Sequence, residues 1–186
     1  TMNELVERFD LAHVNRAPAR FDFEKCKWVN QQHLLRLSNE EFAAAALPFV
    51  EAKPLQLGDH FTGVAAAVKE KVRLLTEVPD AVDFLLGDAF VTDPEAIAKA
   101  RGNAVANELL PRLAEAFATL ADWSADAAKQ ALQEVATPAG AKPGQLMFPL
   151  RVALSGRGHG PDLGDILALL GQARCCERLR DFTTAK

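Results

Sequence analysis

Apolar side chains recur at intervals of three and four residues along most of this chain, the spacing at which side chains share one face of an α-helix. The clearest run lies between residues 61 and 75, with apolar positions at Phe61, Val64, Ala65, Val68, Val72 and Leu75. Its polar side carries Lys69, Glu70, Lys71 and Arg73. No convincing stretch alternates with period two, and no unit of fixed length repeats. The pattern predicts an all-α fold of about ten short helices, a multi-helix arrangement around one core or in two packed helical subdomains.

Capping residues and prolines mark where these helices begin and end. Residues suited to accept a hydrogen bond from a free N–H group precede four of the predicted helices: Asp22, Ser38, Asn103 and Ser124. Glu41 follows Ser38 at the spacing of a capping box. Pro48 is expected to bend or end its helix, and Pro111 to kink its helix or divide it in two.

The run FDFEKCKWVNQQHLLRL, residues 21–37, predicts one helix that begins after Asp22. The positions near helical spacing are Phe23, Cys26, Val29 or Asn30, His33 and Leu37. They predict one face that packs against the rest of the chain. Trp28 is expected to pack in the core or between domains, because large aromatic side chains mainly contribute buried area.

The stretch MFPLRVALSGRGHGPDLGDILALLG, residues 147–171, has the most specific helix boundaries. A helix is predicted to end at Gly156, and Pro161 with Asp162 to open the next one. The buried face of that second helix is predicted from Leu163, Ile166, Leu167 and Leu170. The loop between the helices carries Arg157 and His159 and precedes free backbone N–H groups, which suits phosphate or base edges. The alternative interpretation is an ordinary helix-to-helix connection.

Composition restricts the class of protein. The chain has 186 residues, 49% hydrophobic and 25% charged, and no apolar run approaches the roughly 20 residues that span a bilayer. We therefore expect a globular, cytoplasmic protein with no membrane segment. The spacing of Cys26, Cys175 and Cys176 indicates neither a disulfide framework nor a metal site, so all three are expected to be small core residues.

The net charge of −4 argues against a nucleic-acid binder that relies on a large basic surface. The charge is unevenly distributed, however. Residues 141–186 contain seven Lys or Arg and four acidic residues, a net charge of +3. This basic end is suited to steer RNA toward itself. The alternative is that helix C-termini attract basic residues such as Arg174, Arg178 and Arg180.

No catalytic constellation is present in the sequence. The histidines at 13, 33, 60 and 159 are scattered, and none is paired with another His or Cys at metal-ligand spacing. Nucleotide-binding and nucleophile motifs are also missing. We therefore predict no catalytic residue, no metal and no cofactor within this chain.

Two segments resemble one known family. The sequence MFPLRVALSG followed by GPDLGDILALLG is similar to the P-L-R-x-A-L-T/S-G and G-P-x-L-x-x-I-L-x-L-L-G segments of the anticodon-binding region of bacterial-type glutamyl-tRNA synthetases. Far upstream, FDFEKCKWVN resembles the F-D-x-x-K-L-x-W-x-N element that precedes the helical cage in that family. Cys26 stands where the family commonly has Leu. The two matches lie in the family's order and cover most of the chain.

The resemblance implies a division of the chain and a set of partners. Residues 1–55 correspond to a linker and stem-contact subdomain, in which Lys25, Lys27 and Trp28 lie near the tRNA, and residues 56–186 to the anticodon-binding helical domain. The implied partner is tRNA(Glu), or tRNA(Gln) as well, with a monomeric protein and no DNA or membrane. The family's H-I-G-H-like and K-M-S-K-S-like sequences are absent. The chain is therefore expected to bind RNA but to have no enzymatic activity by itself. Its parent ligase is expected to join glutamate to tRNA with ATP and magnesium.

The resemblance also implies individual contacts. Gly160, Pro161, Asp162 and Leu163 fall where the family's loop meets the anticodon bases, through main-chain groups and the leucine side chain. Some relatives carry a hydroxyl residue at the position of Gly160, so a side-chain hydrogen bond made there is missing here.

Basic residues complete the predicted site. Lys71 falls where the family carries a basic residue, often Arg, that reaches the anticodon loop. Because Lys lacks the bidentate fork of Arg, base discrimination there is expected to be weaker or differently made; the alternative is a solvated charged face. Arg151 is expected to orient the loop from behind or meet a phosphate, and Arg157 and His159 are candidates for backbone phosphates.

Three other classes remain open at this stage. One is a stand-alone helical module that binds RNA or protein in trans. Another is a helix-turn-helix DNA-binding protein, although no basic recognition helix follows a short turn. The third is a structural helical scaffold without affinity for RNA.

Overall fold

The structure is a computed structural model that describes residues 2–15, 18 and 20–184. Within this part of the chain there are ten α-helices and no strands, so the predicted all-α fold is confirmed. In chain order the helices are α1 (Met2–Arg8), α2 (Phe23–Arg36), α3 (Asn39–Glu51), α4 (Phe61–Val68), α5 (Val78–Leu86), α6 (Pro94–Arg101), α7 (Ala104–Ala118), α8 (Ala125–Ala136), α9 (Gly144–Ser155) and α10 (Leu163–Thr184). Short 3₁₀ turns lie at Leu11–His13, Leu75–Glu77 and Thr137–Ala139.

The helices begin where the capping residues predict. Asp22, Asn103 and Ser124 each accept a hydrogen bond from a backbone N–H group in the first turn of the following helix. Ser38 and Glu41 form the complete capping box at the start of α3. Each such cap is worth about 1 kcal/mol.

The prolines do not end their helices. α3 continues past Pro48 to Glu51, and α7 continues past Pro111 to Ala118, so the expected division of α7 is wrong. Buried side chains lie on both sides of each proline, for example Leu110 and Leu113 beside Pro111. Burial of an apolar face on both sides outweighs the roughly 3 kcal/mol that a proline costs inside a helix.

One hydrophobic core joins α3, α4 and α5 to the group formed by α7, α8, α9 and α10. α10 lies against α7, α8 and α9, and its predicted inner face, Leu163, Ile166, Leu167 and Leu170, is buried. Gly171 interrupts α10 with a φ of 74°. A small second cluster holds α6 against α9 through Ala96, Ala100 and Val152. The loop between α9 and α10 is therefore anchored at both ends.

The predicted packing face of α2 is correct only in part: Asn30 and Leu37 pack against the rest of the chain, whereas the remaining positions are exposed. Phe23, Trp28 and Val29 are 72%, 54% and 41% exposed, and Cys26 is also exposed. The one buried residue of α2 is Leu34, and the helix contacts the rest of the chain through Asn30 and Gln31. Hydrophobic periodicity does not detect the contact of Gln31, because its side chain is a polar amide. Cys175 and Cys176 are buried as predicted.

The helix predicted between residues 61 and 75 is shorter than its pattern. α4 ends at Val68, and the chain then turns before the 3₁₀ turn at Leu75–Glu77. Val72 nevertheless points inward and is only 2% exposed. A turn that buries Val72 preserves the apolar spacing without continuing the helix. Lys71 therefore lies in an irregular segment, residues 69–74, which we call the Lys71 segment.

Candidate nucleic-acid interface

The loop between α9 and α10, residues 156–162, has a fixed backbone. Gly156 ends α9 with a φ of 69°, and its N–H group donates to the carbonyl oxygen of Val152 at 2.8 Å. A Cβ atom at this position would lie 2.7 Å from Cγ2 of Thr92, so glycine is required both for the left-handed conformation and for the close approach. Asp162 Oδ1 accepts a hydrogen bond of 2.7 Å from the N–H group of Gly164 and so caps α10.

Ser155 and Arg151 support this loop from within. The buried Ser155 hydroxyl donates to the carbonyl oxygen of Arg151 at 2.8 Å and also contacts the backbone of Arg157. The Arg151 guanidinium donates to the carbonyl oxygen of Pro161. Burial lowers the pKa of Arg151, and the carboxylate of Asp162 opposes that change. Arg151 thus makes the contact that the predicted loop-orienting role needs; a contact with phosphate stays a prediction.

Arg157 is engaged inside the protein. Its side chain is 13% exposed and lies 2.6 Å from Oδ2 of Asp83, which is 9% exposed. It also donates to the carbonyl oxygens of Val91, at 2.9 Å, and Asp80. All three guanidinium nitrogens are therefore occupied by α5 and the segment that follows it. The predicted phosphate contact of Arg157 is not supported by this arrangement, because that contact needs a free, exposed guanidinium.

Two arginines of the basic end bond within the protein in the same way, whereas Lys142 and Arg180 are exposed. Arg174 donates to the carbonyl oxygens of Leu85 and Gly87, and Arg178 to those of Phe84, Leu154 and Gly87. These carbonyls lie at the C-terminal ends of α5 and α9, where the helix itself supplies no N–H partner. Burial, with the neighbouring charge of Arg174, lowers the pKa of Arg178 to about 10. The guanidinium stays charged at neutral pH, and both arginines link helices rather than forming an exposed basic surface.

The structure brings Lys71 next to the α9–α10 loop. Lys71 is exposed, and its backbone N–H group donates to the carbonyl oxygen of Val68 at 2.8 Å. A cleft of about 570 Å³ lies between the Lys71 segment and the loop. Lys71, His159, Gly160 and Pro161 line it together with apolar side chains of α5, among them Phe84. Residues that are distant in the sequence thus form one cleft with an apolar wall and charged groups of both signs, since Glu77, Asp80 and Asp93 also line it. An apolar wall beside the exposed cation of Lys71 suits an unstacked base and its phosphate.

The residues of the loop differ in what they present to solvent. His159 and Asp162 are exposed, Gly160 is half-buried with a φ of 141°, and Pro161 is buried. Leu163 is 6% exposed and belongs to the main core, so its side chain is not available to a base in this structure. The first turn of α10 directs that side chain inward, and the expected contact of this leucine with a base stays a prediction. For contact with RNA the loop therefore presents the exposed side chains of His159 and Asp162 and its main-chain groups.

A second, smaller cavity adjoins the first. It has a volume of about 310 Å³ and is lined by Lys69, Lys71, Asp162 and Asp165, among others. Lys71 lies between the two cavities and contributes to both. Asp165 adds a carboxylate acceptor that hydrophobic pattern and resemblance did not single out. The sequence indicates it only as an acidic residue in the first turn of a helix.

The residues predicted to lie near the tRNA stem are all on α2. Lys25 and Trp28 are exposed, and Lys27 forms an ion pair of 3.2 Å with Glu24. Glu24 also pairs with Arg73 of the Lys71 segment at 3.0 Å. The stem-contact residues therefore lie on an element that is bonded to the Lys71 segment. Sequence reasoning missed Glu24, because a salt bridge between distant segments leaves no periodic signal.

No group of three or more His, Cys, Asp or Glu is placed to hold a metal ion within the described part of the chain. Among the same residues, no helix is both long and apolar enough to cross a membrane.

Comparison with known proteins defines the class of this all-helical chain. Residues 41–183 match the family model described as an anticodon binding domain, and the chain belongs to this family. It is 40% identical over 180 residues to a glutamate–tRNA ligase of Akkermansia muciniphila and 34% identical over 189 residues to one of Symbiobacterium thermophilum. These alignments cover 97% and 98% of this chain but 41% and 39% of the relatives.

Solved structures give the same result. The fold superposes on a glutamate tRNA ligase of Elizabethkingia meningosepticum, crystallised in complex with its amino acid, with a TM-score of 0.84 and 28% identity. That comparison covers 100% of this chain and 37% of the crystallised one. The chain thus spans about two fifths of the length of the ligases it matches. The family suggested by the two sequence segments is confirmed. The division at residue 55 stays a prediction.

Proposed function

We propose that this chain is the part of a glutamate–tRNA ligase that reads the anticodon, and that it binds the anticodon loop of tRNA(Glu) in the cleft between the Lys71 segment and the α9–α10 loop. The observation that carries the proposal is the juxtaposition of Lys71 with His159, Gly160 and Pro161 around one cleft. The family membership of residues 41–183 supports it.

Each part of the cleft supplies one element of recognition. Unstacked bases of a loop are read by stacking and by hydrogen bonds to their edges. The apolar wall beside Phe84 suits a base face, and the free ammonium of Lys71 suits a base oxygen or a phosphate. Gly160 has no side chain, so a nucleotide can approach the backbone closely. Arg151 holds the carbonyl oxygen of Pro161 from the protein side and so fixes the loop before RNA arrives.

The remaining activities belong to the longer protein in this proposal. Joining glutamate to tRNA, with ATP and magnesium, is assigned to the part of the ligases that this chain does not match. The proposed localisation is the cytoplasm, and the proposed oligomeric state is a monomer. Whether tRNA(Gln) is accepted as well depends on how strictly the Lys71 contact discriminates.

The test is a titration of the protein with tRNA(Glu) and with the same tRNA carrying a foreign anticodon, at low and moderate salt. We expect tighter binding of the native anticodon. Lys71→Ala should reduce that preference by about 5- to 150-fold, since a polar contact to a base is worth about 1–3 kcal/mol. Lys129→Ala removes the same charge from an exposed position on α8 and is the matched control.

The outcomes separate the competing functions. Equal binding of both tRNAs with a steep salt dependence would indicate a general RNA-binding module. Absence of binding at any salt would indicate a structural scaffold. If Lys71→Ala and Lys129→Ala lower the affinity equally, Lys71 does not recognise a base and acts only through its positive charge.

A further inference from the structure

The Lys71 segment is held in place by a helix outside the matched domain. Gln31 Nε2 of α2 donates to the carbonyl oxygen of Glu70 at 3.2 Å, and Asn30 Nδ2 donates to that of Arg73 at 2.6 Å. These two carbonyls flank Lys71 on both sides. The family model begins at residue 41, whereas α2 ends at Arg36.

The opposite side of the segment is fixed by the chain itself. Glu77 Oε2 accepts hydrogen bonds from the N–H groups of Arg73 and Leu74, at 2.7 and 3.2 Å. Val72 anchors the middle of the segment in the core. Two N–H groups of this backbone therefore have Glu77 as their partner, whereas its carbonyl oxygens at Glu70 and Arg73 depend on α2.

Polar contacts carry most of the link between α2 and the segment. Glu24 pairs with Arg73, and the Lys69 ammonium donates to the carbonyl oxygen of Leu37, just after α2 ends. Leu34 is the one buried side chain of the helix. Exposed hydrogen bonds and ion pairs of this kind are individually weak, so loss of a few of them can loosen the segment while Leu34 keeps α2 attached to the core.

We propose that α2 positions the Lys71 segment for anticodon recognition, with Asn30 and Gln31 as positioning residues. This inference rests on the function proposed above. The hydrogen bonds of these two amides set where the Lys71 ammonium lies relative to the α9–α10 loop. A change that RNA causes in the Lys71 segment should pass through these hydrogen bonds to α2 and alter the surroundings of Trp28, two residues before Asn30 on the same helix.

Amide hydrogen exchange tests the positioning without RNA. The variant Asn30→Ala/Gln31→Ala removes both donors, keeps the net charge and retains a good helix former at each position. Exchange in residues 69–74 should become about 10-fold faster, while the core helices keep their protection. Gln32→Ala, a neighbouring amide that makes neither of these two bonds, is the control and should leave exchange unchanged. Unchanged exchange in the double variant would overturn the inference.

RNA binding provides the second test. In wild-type protein the affinity for native over foreign anticodon stem-loops gives the discrimination ratio. The double variant should lower this ratio about 5-fold or more, with an unchanged salt slope, whereas Gln32→Ala should keep it. A ratio that stays at the wild-type value overturns the positioning role and leaves the proposed function intact. A wild-type protein without discrimination refutes the proposed function, and this inference with it; the exchange experiment still reports separately on the hydrogen bonds.

Fluorescence distinguishes coupling from direct contact. In a Trp123→Phe background, Trp28 is the single fluorophore, since the chain has two tryptophans. Stem-loop binding should shift Trp28 emission, and the shift should disappear when Asn30 and Gln31 are replaced while binding persists. A shift that persists in the double variant shows that RNA touches Trp28 directly, and coupling through the amides is then wrong.

Discussion

Replacement of Arg157 by alanine should destabilise the whole domain instead of weakening a phosphate contact. The guanidinium joins the α9–α10 loop to α5 through an ion pair with Asp83 and hydrogen bonds to the carbonyl oxygens of Asp80 and Val91. Both charged side chains are largely shielded from water, at 13% and 9% exposure. Salt therefore screens the pair only weakly.

The expected magnitude follows from what remains after truncation. Removal of one partner of a buried ion pair costs about 3–5 kcal/mol, because the other charge is left without compensation. Here Asp83 keeps two backbone donors, Phe84 N–H at 2.7 Å and Val91 N–H at 3.1 Å, which offset part of that cost. We therefore expect a loss of about 3 kcal/mol in the free energy of unfolding.

Urea unfolding followed by circular dichroism measures this loss. With a slope of about 2 kcal/mol per molar urea, the midpoint should fall by about 1.5 M. A cycle with Asp83→Ala and the double variant should give a coupling energy of about 2 kcal/mol or more. Arg157→Lys keeps the charge without the planar fork and should recover part of the stability.

Two results would refute this reasoning. A loss below about 1 kcal/mol would place Arg157 among exposed surface residues, whose substitution has little effect. A tRNA-binding salt slope that falls by about one unit in a folded Arg157→Ala protein would restore the phosphate contact that the sequence suggested.

Gly156→Ala should cost about 2 kcal/mol or more in unfolding free energy, whereas Gly140→Ala, at nearly the same φ of 68° but with no atom within 4 Å of an added Cβ, should cost about 1 kcal/mol; equal losses would contradict the steric argument. In native protein a thiol reagent should label Cys26 and leave Cys175 unreacted until the protein unfolds, because Cys175 is buried and burial raises its pKa to about 12. Since that pKa lies above the ordinary value of 9.0, its contribution to stability should be complete below pH 9 and decline between pH 9 and about 12; Cys175→Ser should remove this part of the pH dependence, as measured by urea midpoints.

Local signals in the sequence determined most of the helical framework. The caps at Asp22, Ser38, Asn103 and Ser124 act between neighbouring residues, so the residue types and their spacing are sufficient to locate them. The inner face of α10 and the end of α9 at Gly156 were predictable for the same reason. The segment of residues 147–171 indicated the function, because its family-like residues lie on either side of the loop within the matched domain.

Tertiary structure alone decided which charges are free to meet RNA. Arg157, Arg174 and Arg178 look like an exposed basic end in the sequence, yet they bond to carbonyl and carboxylate groups of other helices. Arg157 pairs with Asp83, 74 residues away, and Arg178 donates to the carbonyl oxygen of Phe84, 94 residues away. Such partners are brought together only when the helices pack, and no periodicity records them. Lys71 stays exposed because its segment leaves the helix at Val68 and is held by the amides of α2. Local propensity sets where helices begin and end, whereas long-range packing sets which polar groups remain for a ligand.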